Sequence, residues 1–81
     1  MIIYNEEMKK SLQDITILLK ENEIIQLIAY LKELSFGNNK NAHYHLNNDI
    51  YSKEITVAMY EKNGKTEHFS DEYKKLIMLD M

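Results

Sequence analysis

His43 and His45 are the side chains whose type and spacing come nearest to chemistry. They sit two apart in the tract AHYHL, and alternate residues of a β-strand project to the same side. Two imidazoles so placed can share a proton or a metal ion. Zinc asks for three or four ligands in tetrahedral array, and Asp49 or His68 would have to supply the third. Neither stands at a spacing that fixes it there, so the expectation is no metal and no other cofactor. Asp49, Glu54, Glu61 and Glu67 form a second chemical group. Acid–base catalysis needs such carboxylates at a set separation, and nothing in their spacing sets one. Ser11, Ser35, Ser52 and Ser70 lie outside any nucleophile elbow, and Gly37 and Gly64 are isolated, so no phosphate-cradling loop is present. The pattern points away from an enzyme. If the chain works instead by binding a partner, the candidate residues are those the fold does not need for itself: His43, His45, Asp49, Glu54, Thr56, Tyr60, Glu61 and Glu67.

A scaffold must hold these residues, and its clearest part is Asn22 to Ser35. Ile24, Leu27, Ile28, Leu31 and Leu34 recur at the three- and four-residue steps of one helical face. Asn22 is the expected N-cap, Glu21 and Glu23 favour the positive end, and Gly37 is the expected stop. Before the helix, Ile2 to Tyr4 suits a short strand and NEEMKKS a turn. Leu12 to Lys20 has two readings. Met8, Leu12, Ile15 and Leu19 keep helical spacing, whereas Ile15, Ile17 and Leu19 alternate with polar residues. Clustered β-branched residues favour the strand, and a helix over Glu6 to Lys20 stays open. After the helix, Ala42, Tyr44 and Leu46 alternate with the two histidines. Lys53 to Lys62 alternates again, with Ile55, Val57 and Met59 on the apolar side. Asn63-Gly64 predicts a two-residue hairpin returning through Lys65 to Phe69. Ser70 is a natural N-cap for a terminal helix with Tyr73, Leu76 and Ile77 on one face, although KLIMLD also suits a strand.

The expected fold is therefore α+β: one domain over residues 1–81, in the order β-α-β-β-β-α, with the short strand at Ile2 to Tyr4 left open as an addition before it. A mostly antiparallel sheet carries the amphipathic helix on one face. The other face would stay wet and present Leu18, His43, His45, Thr56, Ala58 and Tyr60.

Composition narrows the function further. At 81 residues the chain is near the size where a single core is marginal, which makes a homodimer a possibility. Thirteen acids against ten bases give a net charge of −3, and every base is lysine. Phosphate and guanine recognition favour the planar fork of arginine, so a nucleic-acid partner is not expected. Cysteine is absent, which suits the cytoplasm. No apolar run approaches the roughly 20 residues of a membrane span, and the first residues lack the pattern of a signal peptide.

The order ITILLKENE, IIQLIAYLKELS, AHYHLNNDI and EITVAMYE resembles the immunity protein family numbered thirty-two of bacterial polymorphic toxin systems. The resemblance covers about Asp14 to Glu61, and its most specific part is His43-x-His45-Leu46. It implies a cytoplasmic inhibitor that binds a cognate protein toxin, and it brings no catalytic residues. Two other functions fit the same residues. One is a small ligand- or metal-binding module using the His43/His45 face. The other is a structural subunit of a larger complex.

Overall fold

The computed structural model describes residues 1–37, 42–61 and 66–79. The chain is α+β, with antiparallel strand pairs and two helices. In chain order the elements are β1 (Ile3–Asn5), β2 (Lys10–Leu12), α1 (Glu21–Phe36), β3 (His43–Asn47), β4 (Glu54–Ala58) and α2 (Asp71–Leu79). They fall into two compact units, one formed by residues 1–17 with 60–81 and the other by residues 18–59. Among the described residues no helix is long and apolar enough to cross a membrane.

In the first unit β1 and β2 form a hairpin that pairs Ile3 with Leu12 and Asn5 with Lys10. Asn5 makes the turn: its Oδ1 accepts from the backbone N–H of Glu7 and of Met8, both at 3.0 Å. Asparagine favours such turns because its side chain mimics a backbone acceptor. Lys9 completes the reversal at φ +53°. The strand expected over Leu12–Lys20 is thus confined to its first residue, with Lys10 and Ser11 before it. Residues 14–20 are neither strand nor helix, and Ile15, Ile17 and Leu18 are exposed. Ile15 and Ile17 do not form the expected core row. Their alternation suits a strand, yet among the described residues β1 pairs with the strand the Asn5 turn delivers.

Helix α2 starts as the sequence predicts. Ser70 Oγ accepts from the Tyr73 backbone N–H at 3.2 Å, and its carbonyl accepts from Lys74 N–H at 2.9 Å. Tyr73 and Leu76 are half-buried and Ile77 is 3% exposed. Tyr73 meets Tyr4 of β1 edge to face, with ring centroids 5.3 Å apart, and Phe69 also edge to face at 6.4 Å. Residues 66–69 form a turn closed by Phe69 N–H to the Thr66 carbonyl at 3.0 Å, so they do not return as the expected strand. The expected Asn63-Gly64 hairpin turn lies outside the described residues.

In the second unit α1 packs on the β3–β4 hairpin. Lys20, not Asn22, is the N-cap residue. Lysine carries no acceptor, so the stabilising contact comes from the other direction: Glu23 Oε1 accepts the Lys20 backbone N–H at 2.9 Å. Gly37 ends the helix in the left-handed conformation, φ +70°. The β3–β4 register pairs Tyr44 with Val57 and Leu46 with Ile55 on the inner face. Leu46 is 3% exposed and anchors this unit. Met59 lies just past the end of β4.

The apolar row of α1 is only partly covered. Leu27, Tyr30 and Leu34 are half-buried, while Ile24, Ile28 and Leu31 remain exposed, Leu31 by 48%. The reason is width. Adjacent strands lie about 4.8 Å apart, so two of them shield one edge of a helical stripe and not its whole arc. Tyr30, absent from the predicted row, stands at helical spacing between Leu27 and Leu34 and stacks on Tyr44.

Candidate binding face

The outer face of the β3–β4 hairpin carries the candidate site. The same register that turns Tyr44 and Leu46 inward sets His43 opposite Ala58, His45 opposite Thr56 and Asn47 opposite Glu54 on the other side. His43, His45, Glu54 and Thr56 are all exposed, as the alternation predicts. The two imidazoles meet edge to face with centroids 5.1 Å apart.

His45, Thr56 and Glu54 form a connected cluster. His45 Nδ1 lies 2.8 Å from Thr56 Oγ1 and 3.4 Å from Glu54 Oε2. The Thr56 hydroxyl in turn points to Glu54 Oε2 at 3.5 Å. With the proton on Nδ1, His45 donates to Thr56 or to the carboxylate. A hydroxyl, an imidazole and a carboxylate together invite comparison with a nucleophile triad. That mechanism needs hydroxyl and carboxylate on opposite ring nitrogens, so that one takes the proton while the other orients the base. Here both sit at Nδ1. The cluster fixes the orientation of the ring; it does not activate the threonine.

Among the described residues no group of three metal-ligating side chains converges. Asp49 faces Lys20 Nζ at 3.4 Å, and His68 lies in the other unit against Phe69, with ring centroids 4.0 Å apart.

The loop between β3 and β4 supplies Asp49 and is held by Asn48. Asn48 Oδ1 accepts the backbone N–H of Ser52 at 2.8 Å and of Lys53 at 2.9 Å, and its Nδ2 donates to Ser52 Oγ at 2.9 Å. Tyr51 N–H donates to the Asn48 carbonyl at 3.0 Å. This network holds Tyr51 at φ +55°, with its side chain 79% exposed. Beside the loop lies an open hollow of about 370 Å³ edged by Gln26 and Tyr30 of α1, His45 and Asn47 of β3, and Asp49 and Tyr51 of the loop.

Three candidates lie elsewhere. Tyr60 does not extend the outer row of β4, which ends at Ala58; it is half-buried in the first unit and its hydroxyl accepts from the Met1 ammonium at 3.1 Å. Glu61 and Glu67 are exposed in that same unit. The second unit thus gathers His43, His45, Asp49, Glu54 and Thr56. Tyr51 and the hollow were not visible in the sequence, where NNDIYS reads only as a turn-rich connection. A bulky residue at positive φ leaves no pattern of its own.

No protein-family model, no curated protein and no solved structure matches this chain.

Proposed function

We propose that the chain is a toxin-neutralising immunity protein, a cytoplasmic inhibitor that binds a cognate bacterial toxin and performs no chemistry of its own. The observation that carries the reading is the outer face of β3–β4 with its connecting loop. His45 is fixed by Thr56 and Glu54, and Asp49 and Tyr51 are presented by a loop stapled at Asn48. None of these side chains is buried in the core of its unit. Pre-set side chains lower the ordering cost of association, which is how a binding surface gains affinity. The resemblance of Asp14–Glu61 to an immunity protein family supplies the kind of partner. The net charge of −3 fits a partner with a basic surface.

The test is co-expression in bacteria with the toxin encoded beside this chain. Growth restored by the wild-type protein, and lost when the outer face is altered by His45→Ala with Glu54→Ala, supports the reading. Failure of the wild-type protein to restore growth or to bind that toxin refutes it.

A further inference from the structure

The hollow beside β3 has the chemistry of a cation site. The residues that line it include two tyrosines, Tyr30 and Tyr51, the amide-bearing Gln26 and Asn47, and the acidic Asp49. Asp49 is the only carboxylate among the lining residues. Gln26 Nε2 donates to the Tyr30 hydroxyl at 2.8 Å, which fixes both groups and leaves the amide carbonyl as an acceptor. Aromatic faces attract cations, and a fork of five N–H donors matches a carboxylate flanked by amide oxygens. An anion would meet repulsion from Asp49. The chain's own Lys20 already responds to that charge, with Nζ 3.4 Å from Asp49 Oδ2. Both side chains are about 70% exposed, so the pair is weakly held and yields to a cation that brings more donors.

Tyr51 is the second observation. A bulky L-residue at φ +55° is strained, and at 79% exposure its ring returns little burial to the fold. The Asn48 network nonetheless holds it in place at the edge of the hollow. From these features we infer that the hollow receives an arginine side chain of the partner protein, with Tyr51 as its aromatic wall and Asp49 as its counter-charge. The inference rests on the immunity reading above and assigns the arginine to the toxin.

The experiment titrates N-acetyl-arginine methylamide into the intact protein and follows the ring signals of Tyr30, His45 and Tyr51 by NMR. The citrulline counterpart, neutral but of similar shape, is the control. The expected result is a saturable shift with the arginine compound and a much smaller one with citrulline. Asp49→Asn should abolish that preference. Tyr51→Asn should weaken binding roughly two- to fivefold, the scale of an exposed cation–π contact. Asparagine tolerates positive φ, so the Tm of Tyr51→Asn should equal or exceed the wild-type value. No saturable shift at millimolar compound, or equal response to citrulline, overturns the inference. Binding of the arginine compound without binding of the toxin leaves the site standing and removes the immunity reading. Toxin binding unchanged in both variants does the reverse.

Discussion

Tyr30 of α1 and Tyr44 of β3 lie ring against ring, 5.1 Å apart and within 8° of parallel. This stack is the central contact by which the helix grips a hairpin only two strands wide. Tyr44 stands beside Leu46 on the inner face, so the stack also sets which side of β3 faces away and carries the histidines. A double-mutant cycle with Tyr30→Ala and Tyr44→Ala should give a coupling of about 0.5–1.5 kcal/mol by chemical denaturation. Strictly additive effects would show that the rings do not hold the helix.

Leu46 and Leu31 should respond very differently to truncation. Leu46 is 3% exposed and Leu31 is 48% exposed. Leu46→Ala should cost about 2–5 kcal/mol, the range for a buried leucine. Leu31→Ala should cost well under half of that, because about half of its surface already meets water. Equal losses in urea denaturation would mean that α1 is covered on the side where Leu31 stands.

These contrasts show where the sequence was legible. Strict alternation in AHYHL and EITVA set the two faces of β3–β4 correctly, since a period of two leaves each side chain one choice of side. Ser70 marked α2 and Gly37 the end of α1 through local backbone chemistry that needs no tertiary partner. The same local logic failed at Ile15 and Ile17. Alternation states that a strand is possible, but a partner edge must exist, and the Asn5 turn gave that edge to Lys10–Leu12. Lys20 took the cap from Asn22 because Glu23 could reach back to its N–H, a choice set by one turn of geometry. In the site, His43, His45, Glu54 and Thr56 were readable by period. Tyr51 was not, because its place depends on a loop closed by Asn48 five residues before Lys53.

Gly37 offers a check on the helix end. At φ +70° an alanine is strained even though the added Cβ would meet only open space and the Ser35 carbonyl at 4.0 Å. Gly37→Ala should destabilise the protein by about 1–2 kcal/mol in thermal or chemical denaturation. No loss would mean that the helix ends differently.

Tyr4 makes stability depend on alkaline pH. Its hydroxyl is shut off from solvent and has no hydrogen-bond partner of good geometry among the described residues. Enclosure, then the nearby Glu72 carboxylate, pushes its pKa up to about 12 from 10.0. A phenol raised in the folded state holds its proton more tightly there than in the unfolded chain. The associated stability is complete below pH 10 and is lost as pH rises toward 12. Tyr4→Phe should remove this loss in denaturation curves taken across that window, with stability near neutrality unchanged or raised. The same alkaline loss in the variant would place its origin elsewhere.

Binding kinetics with the neighbouring toxin test the proposed function most directly. The wild-type protein should form a one-to-one complex. Asp49→Lys with Glu54→Lys should slow association roughly tenfold or more at low salt and flatten its salt dependence, because both carboxylates are exposed charges on the proposed face. A wild-type protein that shows no association with that toxin at micromolar concentration would contradict the account.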